Sequence, residues 1–176
     1  HTVEGEVDYP ARNIAQLLCG SEGTLAVTSE ITLGLVPRPR RTGLGIVHFH
    51  TRSEALRAVT TILETKPAAI ELFDGVAIEQ TRKAPGYAHR LTFIEGNPGA
   101  VLITEYYGDT EPEVRACIDE LERVLARAGQ GYALVRTTAP AEIDNVWGIR
   151  KEGLGLIMGV KGDYKPVAVI EDASVP

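Results

Sequence analysis

One local pattern occurs twice and limits what this chain can become. A β-type segment at residues 45–50 is followed by Thr51 and Glu54, and a second at residues 100–107 by Thr110 and Glu113. Thr-x-x-Glu after a strand and before an apolar stripe is a capping box, in which each side chain satisfies an orphan amide of a helix's first turn. The first stripe is Leu56, Val59, Ile62 and Leu63; the second is Val114, Cys117, Ile118, Leu121, Val124 and Leu125. Both have helical spacing. Pro112 is tolerated in a first helical turn, and Gly129 stands where a C-terminal cap belongs. Each helix leads to a further strand, at residues 69–73 and 132–136. A doubled strand–helix–strand unit predicts an α+β, ferredoxin-like antiparallel sheet with helices on one face.

Other elements attach to this frame. Residues 74–82 read as a short helix, 83–98 as an irregular excursion, about 140–153 as a third helix, and 167–171 as a last strand. Before the doubled unit, residues 11–18 read as a helix and 27–36 as a half-buried strand, with Val27, Ile31, Leu33 and Leu35 on one face. Pro37-Arg-Pro-Arg-Arg-Thr-Gly43 separates the two parts. Two prolines amid clustered charge suit an exposed connection, so residues 1–42 and 43–176 are expected to belong to different domains.

Composition narrows the classes. The 176 residues carry a formal charge of −6, whereas a general nucleic-acid binder needs a basic footprint. No apolar run reaches the roughly 18 residues of a membrane span, and the first residues lack a signal peptide's basic start and apolar stretch. The chain starts without Met and is expected to be cut from a longer protein. Cys19 and Cys117 lack partners at metal-ligand spacing and are expected to be free, mostly buried thiols.

Three stretches have the residue types for binding chemistry. In Cys19-Gly-Ser-Glu-Gly-Thr-Leu25, two glycines permit positive φ, and Ser21 and Thr24 set hydroxyls beside backbone amides. Such a turn can cradle a phosphate; the plain alternative, which composition alone favours, is a tight helix-to-strand turn that binds nothing. It is not a P-loop, since no Gly-Lys-Ser/Thr ends it, and it precedes a strand where the dinucleotide fingerprint follows one. In Asn145-Val-Trp-Gly-Ile-Arg-Lys-Glu152, Trp147 and Arg150 share a helix face. The arginine can clamp a carboxylate bidentately; the plain alternative is a core Trp beside a surface Arg. Gly153 to Gly159 reads as a flexible segment leaving the helix, followed by Lys161 and Lys165, which meet either an anion or solvent. His48 and His50 alternate on a strand, but no nearby Asp, Glu or Cys completes a metal set, and Ser21 has no recognisable His partner for a hydrolase triad.

Taken in order, these stretches resemble the FAD-linked oxidases of the vanillyl-alcohol-oxidase type, in the glycolate oxidase/D-lactate dehydrogenase branch. The resemblance is strongest to long bacterial proteins that join such a flavin module to an iron–sulfur module. The carrying residues are Gly20-Ser-Glu-Gly-Thr-Leu25, Glu30-Ile-Thr-Leu33 with Pro37, Trp147-Gly-Ile-Arg-Lys151, Gly153-Leu-Gly-Leu156, Lys161-Gly-Asp163, Lys165-Pro166 and Glu171-Asp-Ala-Ser-Val-Pro176.

The resemblance implies that residues 1–42 end a flavin-binding domain, with Gly20, Ser21, Gly23 and Thr24 against the FAD pyrophosphate. It implies that residues 43–176 are a substrate-side cap domain, incomplete at its C-terminal end. Arg150 would receive a substrate carboxylate, with Trp147 and Lys165 beside it. The implied reaction oxidises a D-2-hydroxy acid, of the D-lactate, glycolate or D-2-hydroxyglutarate class, to the 2-oxo acid. FAD takes the hydride, and the electrons pass to an iron–sulfur module or another acceptor. The implied location is the cytoplasm, or the periphery of the inner membrane. The chain departs from the family by lacking the glycine-rich nucleotide loops, the His motifs that supply metal and base, and an iron–sulfur Cys cluster. No catalytic or metal-binding residue is therefore assigned within it, and by itself it is expected neither to turn over substrate nor to hold FAD tightly. Against this stands a non-catalytic ferredoxin-like ligand-binding or regulatory module, since fold alone does not decide function.

Overall fold

The computed structural model describes residues 14–158, which divide into two units between Pro37 and Arg38. In the first unit, Ile14–Leu18 forms the short helix α1. The strand expected at residues 27–36 is not formed: Val27 and Leu35 are 95% and 92% exposed. Alternation supplies an apolar face, but a strand also needs a neighbour to bond its amides. Among the described residues no strand pairs with this segment.

The second unit contains β1 (Arg41–Phe49), α2 (Arg52–Leu63), β2 (Ala69–Asp74), α3 (Gly75–Lys83), β3 (Ala100–Gly108), α4 (Glu111–Ala128), β4 (Ala133–Thr137) and α5 (Pro140–Met158). The four strands form an antiparallel sheet in the order β2-β3-β1-β4. This interleaving of two strand–helix–strand units is the ferredoxin-like order that the doubled sequence pattern predicts.

Both capping boxes are made. The Glu54 amide donates to Thr51 Oγ1 at 3.2 Å and the Thr51 amide to Glu54 Oε2 at 3.2 Å. Thr110 and Glu113 repeat the exchange at 3.4 and 3.2 Å. Gly129 closes α4 at φ 64°. Asp74 caps α3 by accepting from the Ala77 amide at 2.9 Å.

The helices α2 and α4 share one face of the sheet, over a core of Val47, Phe49, Leu102, Tyr106, Ile118 and Leu121. The α4 stripe is as expected. That of α2 is rotated: Ala55, Ala58 and Ile62 are buried, while Leu56 is 56% exposed. Small alanines let the helix approach the sheet, and a stripe read from large side chains overlooks them. At Gly45 a Cβ would come within 2.6 Å of Leu121 Cδ2, so only glycine lets α4 lie this close to β1.

The opposite face is covered as well, by α3, α5 and part of the excursion after α3. Leu44, Ile46, Val101, Ile103 and Phe73 pack there against Ile78, Phe93, Val146 and Ile149. The excursion contains one 3₁₀ turn, Ala88–Arg90. The helix α5 runs through Gly153 and Gly155 to Met158, so the flexible segment predicted after residue 153 is helical that far. Gly153 is buried, and a Cβ there would meet Phe73 Cε2 at 3.3 Å, so the glycine lets this last part of the helix pack on β2. The strand expected at residues 167–171 lies outside the described residues. Cys19 and Cys117 are free, but Cys19 is exposed rather than buried, because its turn lies on the surface of the first unit. No helix among the described residues is long and apolar enough to cross a membrane.

Candidate functional site

The Asn145-to-Arg150 stretch spends each residue differently, because a helix turns about 100° per residue. Val146 and Ile149 enter the core, 1% and 0% exposed. Asn145 and Gly148 hold the excursion: Arg90 Nε donates to Asn145 Oδ1 at 3.0 Å, and Asn145 Nδ2 donates to the Arg90 carbonyl at 2.7 Å. A Cβ at Gly148 would lie 2.5 Å from Arg90 Nη2. Trp147 and Arg150 face β2 and β3.

There the two side chains meet carboxylates. Trp147 Nε1 donates to Glu105 Oε1 at 3.2 Å, and the Tyr107 hydroxyl donates to Glu105 Oε2 at 2.9 Å. Arg150 Nε donates to Glu71 Oε2 at 2.9 Å, with Nη2 2.8 Å from the same oxygen. In the β2–β3 register Ala69 opposes Glu105 and Glu71 opposes Ile103, so Glu71 and Glu105 are diagonal neighbours on one face. Burial raises the Tyr107 phenol above its ordinary 10, and its bond to Glu105 and that residue's charge add to the shift, which keeps the hydroxyl a donor.

The structure therefore sets Trp147 and Arg150 on one face of α5, as their spacing implies, and gives each a carboxylate partner that the spacing does not show. Glu71 and Glu105 each interrupt an apolar strand, and that interruption was the available signal. Lys165 lies outside the described residues. The Arg150 side chain is 37% exposed and that of Glu71 33%, so the pair is open to a ligand.

The glycine turn belongs to the first unit. Gly20, Glu22 and Gly23 have φ of 79°, 49° and 76°. Thr24 donates to the Ser21 carbonyl from both N and Oγ1, at 2.9 and 2.6 Å. No described residue bonds the Glu22 or Gly23 amide, and the Cβ positions of Gly20 and Gly23 face open space. Free amides in a tight turn suit an anion such as a pyrophosphate, so this donor set fits FAD.

Other groups carry less. His48 is buried in β1: Nδ1 lies 3.1 Å from the Ile46 carbonyl, and Nε2 accepts the Glu95 amide at 3.0 Å. His50 lies just past the strand and stacks on Tyr132 with ring centroids 4.4 Å apart. Among the described residues no set of three or more His, Cys, Asp or Glu could hold a metal. A surface cleft of about 330 Å³ is lined by Arg115, Asp119, Arg136 and Glu142, away from Trp147 and Arg150. Its arginines are already paired, Arg115 with Glu111 and Arg136 with Asp119 and Glu122.

Comparison with known proteins gives this geometry its context. The chain is 26% identical to the D-2-hydroxyglutarate dehydrogenase of Pseudomonas putida, over 93% of this chain and 17% of that protein. It is 27% identical to the D-lactate dehydrogenase of Anaerostipes hadrus, over 78% of this chain and 30% of that one. It is 28% identical to glycolate oxidase subunit GlcD of Escherichia coli K12, over 90% of this chain and 31% of the subunit. The chain thus spans a minor part of each relative. Among solved structures, an alkyldihydroxyacetonephosphate synthase shares the fold, with a TM-score of 0.55 and 17% identity over 85% of this chain and 29% of that one. The family described as FAD linked oxidases, C-terminal domain, matches residues 38–176, which include the whole four-stranded sheet and its helices. The chain belongs to that family.

Proposed function

We propose that this chain is the substrate-side part of a longer flavoprotein that oxidises a D-2-hydroxy acid to the 2-oxo acid. The observation that carries the reading is the guanidinium of Arg150, partly exposed on the same helix face as Trp147, in a chain whose relatives are named for D-2-hydroxyglutarate, D-lactate and glycolate.

In this reading Arg150 binds the substrate carboxylate by two parallel N–H bonds, and the Trp147 indole forms the wall beside it. A fixed fork orients a small hydroxy acid better than a point charge does, and orientation brings the Cα hydrogen to the reacting face. Lys165 adds a second cation for the substrate. The segment before β1 closes the flavin-binding domain, and the unit built on the four-stranded sheet forms the cap. Gly20, Ser21, Gly23 and Thr24 hold the FAD pyrophosphate through amides and small hydroxyls. FAD, when bound, supplies the hydride acceptor. The base and any metal come from outside this chain, and the electrons leave for an iron–sulfur module or another acceptor.

The test is the visible spectrum of the purified full-length protein, recorded without oxygen before and after D-lactate, glycolate or D-2-hydroxyglutarate. A flavin band bleached by at least one of them is expected. Absence of a flavin band, or a band indifferent to all three, would leave the non-catalytic binding module as the better reading.

A further inference from the structure

We propose that Glu71 is a positioning residue for Arg150, an inference that rests on the carboxylate-binding reading above. The argument begins with which N–H groups Glu71 takes. A guanidinium has five donors in a planar fork. Glu71 Oε2 receives Nε at 2.9 Å and lies 2.8 Å from Nη2, so it grips the side of the fork nearest the backbone. No described residue engages Nη1. The outer edge, formed by Nη1 and the second hydrogen of Nη2, is left intact, and this edge matches a carboxylate bidentately.

Three features make the arrangement directional. Glu71 stands on a sheet strand, between residues paired to β3, so its backbone is fixed by ladder hydrogen bonds. Arg150 stands on α5, one helical position from Ile149, which is fully buried. The two rigid elements hold the ends of the pair 79 residues apart in sequence. Glu105 lies diagonally beside Glu71 and repels a second carboxylate from the sheet side. A substrate anion is thereby directed to the outer edge and away from the sheet. An ion pair exposed by about a third on each side chain adds little to stability, so orientation, rather than folding, is the expected role of a carboxylate set in an otherwise apolar strand.

The test uses the full-length holoenzyme and its best hydroxy acid, with Arg150→Ala, Glu71→Ala, Glu71→Gln, Glu71→Asp and the double variant Glu71→Ala/Arg150→Ala. Arg150→Ala should raise KM about 30-fold or more. Glu71→Ala should raise KM about tenfold with flavin content unchanged. Glu71→Gln, whose amide oxygen still accepts from Nε, should restore KM to within about threefold of the parent. Glu71→Asp keeps the charge but loses reach and should not restore it. The double variant should match Arg150→Ala, because a residue acting through another adds nothing once that other is gone. The positioning role is overturned if Glu71→Ala and Glu71→Asp leave KM unchanged while Arg150→Ala raises it. It is also overturned if glutamine behaves like alanine, or if the double variant is additive. Unchanged KM in Arg150→Ala would instead remove the carboxylate-binding reading itself, and the role of Glu71 with it.

Discussion

Nε2 of His48 accepts the backbone N–H of Glu95 at 3.0 Å, so a buried strand residue anchors the end of the excursion that follows α3. The bond requires a neutral ring with its proton on Nδ1, directed at the Ile46 carbonyl 3.1 Å away. Tyr132 supports the same turn by donating from its hydroxyl to the Glu95 carbonyl at 2.9 Å.

Burial lowers the His48 pKa from its ordinary 6.5, against hydrogen bonds to Ile46 and Ala133 and the charge of Glu95, which pull it up. The native state therefore binds fewer protons than the unfolded chain at pH values between the folded pKa and 6.5. Stability from this site should be complete above 6.5 and decline as pH falls below it. Denaturant midpoints at pH 7.5 and 5.5 should differ in the parent and converge in His48→Leu. That variant should also lose about 1–3 kcal/mol at the higher pH, the usual cost of an orphaned buried donor. Equal pH dependence in both proteins would contradict the assignment.

Arg150→Lys keeps a positive charge but not the planar fork. If the fork binds the substrate carboxylate, lysine should recover only part of what alanine loses. The loss for Arg150→Ala in kcat/KM is expected at about 2–4 kcal/mol, the scale for removing one partner of a hydrogen-bonded charge pair. Steady-state kinetics of the full-length enzyme decide it; parental values in both variants would exclude a carboxylate contact.

Thr24 closes its turn through two bonds to the Ser21 carbonyl. Thr24→Ala removes the hydroxyl and the shorter of those bonds, so the full-length protein should retain less FAD. The ratio of flavin to protein absorbance after gel filtration measures this. Full occupancy in the variant would argue against a cofactor role for the turn.

Gly45→Ala would drive a methyl into Leu121. Displacing α4 from β1 should cost about 1–3 kcal/mol, as overpacking of a filled core usually does. Chemical denaturation measures the loss, and unchanged stability would mean that Leu121 swings aside freely.

Much of the fold was legible locally. The two Thr-x-x-Glu boxes, the α4 stripe and Gly129 each act over a few residues, and all are found as read. The α2 stripe is not legible from its large side chains, because burial of Ala55 and Ala58 depends on how closely that helix meets the sheet. The predicted strand at 27–36 has the right alternation, but alternation cannot supply a pairing neighbour. Of the candidate site, the face shared by Trp147 and Arg150 was legible from helical spacing alone.

The sequence by itself determined the elements of the doubled strand–helix–strand unit and their order along the chain, because caps, stripes and turns are short-range physics. Only the tertiary structure decided which groups meet. Glu71 and Glu105 reach Arg150 and Trp147 from 79 and 42 residues away. Those meetings depend on the β2–β3 register, which sets both carboxylates on one face, and on the path of α5 across that face. Neither quantity is encoded in the spacing of any single segment.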